Sequence, residues 1–369
     1  DYNRECKKAV MKYTSEWESL TKLMGFWIDM SDPYVTYTPK YMETIWWLLK
    51  QLHKKKLLYK GYTIQPYSPA AGSGLSSHEL NQPGAYKNIT DTSIVAQFKC
   101  AEDGLSDTLK PFFPFYFLAW TTTPWTLPAN LAVSVNSKIE YSAIDTLSHG
   151  ILIVATSLID TVVNECKLQG VKIIATYIGE DLKNNELHHP FIKRFSPILL
   201  ADYVTTESGT GCVHTAPGHG LDDYITGINN GLEVYCPIDD NGCYVDDGQI
   251  PSDLVGLSVL EKENGRPSDA NLGVLRILAG NSSLVAKKKI THSYPHCWRS
   301  KTPVVFRAMD QWFIALDKNG VRKQALDSLN DVNYLPTWGG NRIRSAVESR
   351  PDWCISRQRV WGVPLPLFV

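Results

Sequence analysis

Three consecutive threonines at positions 121–123 are the first residues whose type and spacing could support chemistry. Their β-branched side chains favour an extended strand, and Pro124 ends that strand because proline has no N–H for the ladder. In an extended strand Thr121 and Thr123 point to the same face, so two hydroxyls that can each donate and accept lie side by side. Such a pair could orient a water molecule or an ester oxygen. The alternative is a plain row of threonines that faces solvent.

A second segment with chemical potential covers residues 209–224 and reads GTGCVHTAPGHGLDDY. Glycines precede a short strand-like run, and a Pro/Gly loop then leads into two aspartates, which brings several polar groups near one concave stretch of backbone. One interpretation is a metal-dependent hydrolase with four ligands, His214, His219, Asp222 and Asp223. The loop between the two histidines contains proline and glycine, however, and cannot form a helical His-x-x-x-His face.

Three other interpretations of this segment stay open. A thiol hydrolase would pair Cys212 with His214, two residues apart on one strand face, but no third group that would orient the histidine is evident. A metal-free pocket would use His214 to shape or polarise the site and a carboxylate to hold a cationic ligand. The plainest alternative is a buried core histidine in a glycine-rich turn.

Composition limits the class of protein. The 369 residues include 37 Lys+Arg and 38 Asp+Glu, and 43% are hydrophobic, so a disordered or fibrous chain is excluded. The net charge of −1 argues against nucleic-acid binding that depends on the total charge of the chain. Clusters of basic residues can still contact phosphates locally, or they can form faces that are only solvated. The clusters are Lys54–Lys56, Lys287–Lys289, Arg299 with Lys301, and Arg342, Arg344, Arg350, Arg357 and Arg359.

The expected compartment is the cytoplasm. The cysteines are spread along the whole chain instead of forming a dense framework, which is typical of reduced thiols. No Cys-x-x-Cys pair is present in the sequence. The longest strongly apolar stretch, 111–120, is about half the length that a bilayer crossing needs, so no membrane segment is expected. The sequence begins at Asp1 without a charged-then-apolar leader, and we therefore expect an excised segment without a signal peptide.

Periodicity predicts a β-rich body between two differently built ends. Helices are expected at 4–24 and 41–58, and a Pro/Gly/Ser-rich boundary follows at 67–86. Short strands then follow, and together with few helices, at 156–168 and 270–280, they suggest a closed or nearly closed sheet. The predicted strands are 93–99, 115–123, 131–135, 151–155, 171–175, 197–204, 212–215, 232–237 and 283–291. The tail is expected to contain strand 302–309, helices 316–330 and 341–348, and a β-like end at 353–360.

The two chemical segments resemble the editing insertion of isoleucyl-tRNA synthetases, which are class I aminoacyl-tRNA synthetases. Residues 121–128, TTTPWTLP, are similar to the threonine-rich region of that family. The related valine and leucine enzymes carry Thr-Thr-Arg-Pro in this region, so the Thr-Thr-Thr-Pro of this chain points to the isoleucine branch. The 209–223 segment is similar to the family's GTGxVH…DD stretch. The flanks resemble the family over essentially the whole chain, at 24–34 (MGFWIDMSDPY), 292–299 (HSYPHCWR) and 352–364 (DWCISRQRVWGVP).

This resemblance implies a mixed α/β fold in which a β-barrel-like editing domain at 91–290 is inserted into a Rossmann-type catalytic domain. Residues 1–90 would form a helical lead-in and connecting segment, and 291–369 would return to the catalytic domain. The implied function is post-transfer editing, the hydrolysis of valine from tRNA specific for isoleucine. The alternative function is a module that binds the tRNA acceptor end without chemistry.

Roles for individual side chains follow from the same resemblance. Asp223 would pair with the α-ammonium of the misattached amino acid. The hydroxyls of Thr121, Thr122 and Thr123 would orient the ester and a water molecule, and Trp125 would form a wall of the pocket. Asn130 would contact the terminal nucleotide. His214 would lie against the amino-acid side chain, either as a size gate or as a general base.

Two departures from the family limit the expected activity. The chain contains neither His-x-Gly-His nor Lys-Met-Ser-Lys-Ser, so it should not form an adenylate, although the parent enzyme would use ATP and Mg²⁺. Where many members have two zinc-binding Cys-x-x-Cys pairs, this chain has SPAA at 68–71 and CWRS at 297–300, and Cys297 alone remains. We therefore expect no structural zinc and no cofactor for editing. The expected partners are the tRNA acceptor end carrying valine and the rest of the parent enzyme, with the fragment itself a monomer.

Overall fold

The computed structural model describes residues 1–103, 105, 109–261 and 266–367, and of Ser77 only the backbone. Within these residues the fold mixes helices with β-sheets, as expected. The helices are α1 Tyr2–Met11, α2 Thr14–Leu23, α3 Pro39–Lys54, α4 Ser77–Leu80, α5 Ile159–Cys166, α6 Leu221–Asn229, α7 Asp269–Gly280, α8 Val321–Ser328 and α9 Gly339–Glu348. The strands are β1 Leu58–Ser68, β2 Ser73–Gly74, β3 Tyr86–Lys99, β4 Phe115–Thr121, β5 Ala132–Val135, β6 Glu140–Thr146, β7 Gly150–Ala155, β8 Lys172–Ile178, β9 Glu186–His188, β10 Phe195–Leu200, β11 Val213–Thr215, β12 Leu284–Pro295, β13 Val305–Ile314 and β14 Trp353–Cys354.

The chain divides into two compact units. Unit 1 combines both ends of the chain, Asp1–Gly61 and Asp310–Val369, and unit 2 is the intervening stretch Tyr62–Met309. The chain passes between the units along β1 and β13. The functional domain limits expected from the sequence, 1–90, 91–290 and 291–369, stay predictions.

Unit 1 contains the helices of the lead-in. The predicted helix 4–24 is two helices, because Tyr13 leaves helical geometry between α1 and α2. Helix α3 begins at Pro39, two residues before the predicted 41, and the Thr38 hydroxyl accepts a hydrogen bond from the N–H of Tyr41 at 3.4 Å. The helix ends at Lys54 rather than at 58, since Lys56 has a positive φ of 56° and the chain then enters β1.

A six-stranded sheet forms the body of unit 2, in the order β12–β3–β4–β7–β6–β8. The long pairing of β3 with β12 joins the start of this body to its end, with Tyr86 opposite Pro295. Most apolar residues of the central strands are buried and form the core, and the fully buried ones include Phe98, Phe117, Leu118, Ile144 and Ile153. Burial of these side chains is the main force that stabilises the sheet.

A second sheet of unit 2 has the order β11–β5–β10–β9 and contains His214 opposite Val133. An isolated bridge between Cys100 and Leu187 links the two sheets. Among the described residues β12 and β8 end the large sheet without pairing with each other, so this sheet is open. The barrel-like closure expected from the many short strands is therefore not confirmed.

Several elements differ from the prediction, and strands β1, β6 and β9 were not predicted. Residues 232–237 form no strand, and the carbonyl oxygen of Tyr235 instead lies close to Gly218. The β-like end at 353–360 is reduced to the two residues of β14. Helix α6 was not predicted from the sequence, although two aspartates in its first turn are a helix-start signal.

The described part of the chain contains no helix with the length and apolar character needed to cross a bilayer. All eight cysteines lie in this part, and none of them forms a disulfide.

Candidate functional site

The threonine segment begins where β4 ends. The strand ends at Thr121, two residues before the predicted end at 123, and a 3-10 helix covers Pro124–Ala129. The N–H of Thr123 donates to the hydroxyl of Thr121 at 3.1 Å, and the two hydroxyl oxygens are 3.4 Å apart. The expected convergence of these two hydroxyls is therefore confirmed.

The glycine-rich segment requires glycine at two positions. At Gly211 φ is +80°, and an added Cβ would lie 2.3 Å from the Cβ of Ala155. At Gly218 an added Cβ would lie 2.0 Å from the carbonyl oxygen of Tyr235. Only a residue without a side chain allows these approaches, so the two glycines fix the path of β11 and of the loop after it.

Asp223 lies in the first turn of α6, and its side chain reaches back to the loop. Its Oδ2 accepts a hydrogen bond from the N–H of Ala216, and its Oδ1 accepts one from the hydroxyl of Tyr203, both at 2.9 Å. Burial raises the pKa of the Asp223 carboxyl, and the two hydrogen bonds act in the opposite direction. A cation in contact with this group would favour the carboxylate form, which makes it a suitable partner for an ammonium ion.

His214 is buried in β11 and has one satisfied ring nitrogen. Its Nε2 lies 3.0 Å from the hydroxyl of Thr126, while Nδ1 is buried without a partner in the structure. Burial, with a smaller effect from nearby His219, lowers the pKa of His214 to about 4. The imidazole is therefore neutral at pH 7.

These side chains border one pocket of about 320 Å³. This volume is at the lower end of the range for small-ligand sites, roughly 300–1,000 Å³. The pocket combines hydroxyls, neutral imidazoles and one buried carboxyl. Its lining residues are Trp120, Thr121, Thr122, Thr123, Thr126, Val213, His214, Ala216, His219, Gly220 and Asp223.

The predicted site residues fall into two groups. All five catalytic candidates, Thr121, Thr122, Thr123, His214 and Asp223, border this pocket. Trp125 instead borders a neighbouring cavity on the other side of Thr122 and Thr123, and its ring packs edge-on against His219 with centroids 5.0 Å apart. Asn130 borders neither cavity: its amide donates to the carbonyl of Ala132 at 2.7 Å and accepts from Ser196 at 2.6 Å. Its contact with a nucleotide stays a prediction.

The geometry does not favour the two rival chemistries. No group of three or more His, Cys, Asp or Glu side chains in the described residues is arranged to hold a metal ion. Asp222 is exposed and does not border the pocket, and Nδ1 of His219 is engaged with the carbonyl of Phe306 at 2.9 Å. The thiol of Cys212 is buried outside the pocket lining, and burial raises its pKa, so it is not an activated nucleophile.

Three residues near the pocket were not predicted as parts of a metal-free site: Tyr203, Thr126 and His219. Thr126 follows the threonine triplet at a three-residue spacing, which is one 3-10 turn, and this spacing could have indicated it. Tyr203 contacts Asp223 only through the tertiary fold, and no local pattern marks it. His219 was considered only as a metal ligand, whereas its ring forms part of the pocket wall.

The four positions that correspond to the family's zinc-binding cysteines lie close together in unit 2. The hydroxyl oxygens of Ser68 and Ser300 are 3.0 Å apart, and the N–H of Ala71 donates to Ser68 at 3.2 Å. Cys297 is buried beside them. One thiol, two hydroxyls and an alanine do not match the nitrogen and sulfur ligands of a structural zinc site, so the donors do not fit this metal.

Comparison with known proteins gives the family. Residues 1–369 match the family model described as tRNA synthetases class I (I, L, M and V). A protein described as isoleucine–tRNA ligase from Bacteroides fragilis (strain YCH46) is 39% identical over 421 residues, which cover 100% of this chain and 36% of the relative. An isoleucine–tRNA ligase from Petrotoga mobilis is 40% identical over 364 residues, which cover 98% of this chain and 37% of the relative. The chain thus spans little more than a third of the length of these relatives.

Solved structures give a weaker likeness. The crystal structure described as GlLeuRS-CP1 is 15% identical and has a TM-score of 0.40, with 53% of this chain and 98% of that chain covered. A likeness at this level carries no argument about the present site. From the family match and the relatives, the chain belongs to the class I tRNA synthetases of the isoleucine, leucine, methionine and valine group, as a segment similar to isoleucine–tRNA ligases.

Proposed function

We propose that the chain is the post-transfer editing part of an isoleucyl-tRNA synthetase, which hydrolyses valine from tRNA specific for isoleucine. The observation that carries the proposal is the single pocket in which the threonine hydroxyls, a buried carboxyl and a neutral imidazole meet. A second, hydrolytic site is needed because one methylene in a hydrophobic pocket supplies only about 1–3 kcal/mol of discrimination between two substrates. Isoleucine against valine is itself the standard example of this range. A second site that accepts only the smaller ester corrects the remaining errors.

The proposed reaction is ester hydrolysis at the 3′-terminal adenosine. Water attacks the ester carbonyl, the bond to the ribose oxygen breaks, and that oxygen leaves with a proton, so valine and free tRNA are released. Asp223 holds the α-ammonium group and thereby fixes the orientation of the amino acid. The hydroxyls of Thr121, Thr122 and Thr123 orient the water and the ester, since each hydroxyl can donate and accept.

His214 is proposed as the size gate of the pocket. A general base works best when its pKa lies near the operating pH, and a pKa of about 4 makes this imidazole a weak base at pH 7. A buried ring held at Nε2 by Thr126 is, by contrast, a rigid wall. The ribose hydroxyl of the substrate can assist proton transfer, but it cannot supply shape discrimination.

The two ends of the chain are proposed to belong to a larger, Rossmann-type catalytic domain into which the β-rich part is inserted. The composition of unit 1 from both chain ends supports this arrangement. The ATP-dependent activity of such a parent enzyme would lie outside the segment, and the segment alone is expected not to attach isoleucine to tRNA.

Turnover distinguishes the proposal from its two rivals. The chain is incubated with tRNA carrying radiolabelled valine, and release of valine is followed over time. Binding of the tRNA without release would support an acceptor-end binding module. Release that stops after exhaustive chelation and returns with added metal would support a metal-dependent hydrolase, whereas we expect release to be insensitive to chelation.

Tyr203 should contribute to this activity through Asp223. In Tyr203→Phe the carboxylate loses one of its two hydrogen bonds, and a bond to a charged group contributes about 1.5–3 kcal/mol, so valine release should fall roughly tenfold. Tyr235→Phe is the matched control, because Tyr235 makes the same kind of bond to Asp247 at 2.7 Å outside the pocket. Equal rates for both variants would remove Tyr203 from the site.

A further inference from the structure

The backbone of Trp125 is held from both sides by side chains that do not border the 320 Å³ pocket. Its N–H donates to Oδ1 of Asn271 at 2.9 Å, and its carbonyl accepts from the hydroxyl of Tyr244. Both partner side chains are buried. Since buried hydrogen bonds are costly to break, these two contacts fix the position of the Trp125 backbone.

Glu261 determines which way the Asn271 amide faces. The Nδ2 of Asn271 donates to Oε1 of Glu261 at 2.8 Å, which leaves Oδ1 as the atom of this amide that can accept. The amide oxygen must therefore face the N–H of Trp125. Asn271 is itself anchored in the first turn of α7, where its N–H donates to the capping hydroxyl of Ser268 at 3.1 Å.

The position of Trp125 is coupled to the pocket through a tight turn. The N–H of Thr126 donates to the carbonyl of Thr123 at 2.9 Å, so Trp125 lies within the turn that joins these two threonines. Thr123 and Thr126 both border the pocket, and the hydroxyl of Thr126 lies 3.0 Å from Nε2 of His214. A shift of Trp125 would consequently move the hydroxyl of Thr123 and the contact between Thr126 and the imidazole of His214.

We propose that Asn271, with Glu261 as the group that orients it, is a positioning residue for the threonine turn. The inference rests on the proposed ester hydrolysis for its effect on activity, but the clamp itself is a property of the fold. Neither residue borders the 320 Å³ pocket, and both border the neighbouring cavity that Trp125 also lines. Tyr244 completes the clamp from the other side of Trp125.

The charges around Glu261 make the proposal testable. Asp91 faces Glu261 from β3, and its Oδ2 lies 2.7 Å from Nε2 of His292 in β12; half-buried Tyr294 also faces the group from β12. From α7 the facing groups are the amide of Asn271 and the backbone N–H of Ser268. Burial, with the charge of Asp91, raises the pKa of Glu261 to about 7. At alkaline pH Glu261 is ionised, and a second carboxylate at position 271 would be strongly disfavoured because the two negative charges would repel each other.

The test is a charge exchange across this hydrogen bond. In Asn271→Asp two carboxylates face each other, and valine release relative to wild type should fall at least about tenfold at pH 8, where repulsion breaks the clamp. Part of the loss should be recovered at pH 6, where the pair shares a proton. Glu261→Gln alone keeps an acceptor for Asn271, and its rate is measured as the reference for the double variant. The double variant places the Gln amide N–H₂ opposite the new carboxylate and should restore activity at both pH values.

Hydrogen–deuterium exchange of residues 121–126 in the same proteins gives a readout that does not depend on activity. Asn271→Asp should exchange faster than wild type at pH 8, and the double variant should return to the wild-type rate. If the wild-type chain releases no valine, the proposed function is wrong, while the exchange result still decides whether the clamp exists. Wild-type activity and exchange in Asn271→Asp, or a double variant as impaired as the single one, would overturn the proposal.

Discussion

Replacing Asp223 with alanine is expected to reduce valine release by about 10–150-fold while the fold persists. The range follows from the loss of a charge-assisted contact to the α-ammonium group, which is typically worth about 1.5–3 kcal/mol. The fold should tolerate the change, because the Tyr203 hydroxyl also lies within hydrogen-bond reach of Ser134 and Thr215. Valine release at subsaturating tRNA measures the effect, and circular dichroism during thermal unfolding measures the stability.

Asp222→Ala is the matched control for this variant. Asp222 is the adjacent acidic residue in the same helical turn, but it is exposed and does not border the pocket. Its removal changes the net charge by the same amount and should leave the rate within about twofold of wild type, as is usual for an exposed residue. If the Asp222 variant lost activity and the Asp223 variant did not, the assignment of the ammonium site would be reversed.

Replacing His214 with alanine is expected to give a new activity, the release of correctly attached isoleucine. The substitution removes the imidazole ring from a wall of the 320 Å³ pocket and leaves space for the extra methylene. Rejection of isoleucine should weaken by roughly 10–200-fold, the range that one methylene supplies. Release of valine should persist, because Asp223 and the threonine hydroxyls stay in place.

His214→Gln separates the size gate from a general base. The glutamine side chain fills similar space and can bond the Thr126 hydroxyl, but it cannot accept a proton at neutral pH. A gate predicts that this variant still releases valine and still rejects isoleucine. If His214 were the general base, both substitutions would reduce release of valine by about 10²–10⁴, and the alanine variant would gain nothing on isoleucine.

The local features of the site follow from the sequence, whereas its assembly does not. The position of Pro124 indicates the end of β4 to within two residues of the predicted end at 123, so this boundary was largely predictable. The approach of the Thr121 and Thr123 hydroxyls was also expected, but it comes from the turn in which the N–H of Thr123 donates to the Thr121 hydroxyl, not from alternation within a strand. The position of Asp223 depends on α6 turning back onto the loop after β11, and this helix was missed because the glycines around it favoured an irregular segment. Tyr203 reaches Asp223 only through the second sheet, in which β5 pairs with β10 on one side and with β11 on the other.

Trp125 and Asn130 show that resemblance to a motif does not predict the direction in which each side chain points. Trp125 lies in the 3-10 helix that follows the threonines, and Asn130 comes directly after that helix. The fold nevertheless directs Trp125 toward a second cavity and uses the Asn130 amide for internal hydrogen bonds. Sequence spacing shows that such residues lie near the threonines, but it does not show which side of the turn each faces. The clamp on Trp125 by Asn271 and Tyr244 involves residues more than 100 positions away, beyond any local pattern.

The most direct test of the proposed editing function compares two esters on the wild-type chain. Transfer RNA specific for isoleucine is charged with either valine or isoleucine, and the initial rates of amino-acid release are measured side by side with the spontaneous rates subtracted. We predict that valine is released and that isoleucine is released at least about tenfold more slowly, because about tenfold is the lower limit of the discrimination that one methylene supplies. Equal release of both esters, or no release of valine above the spontaneous rate, would contradict it.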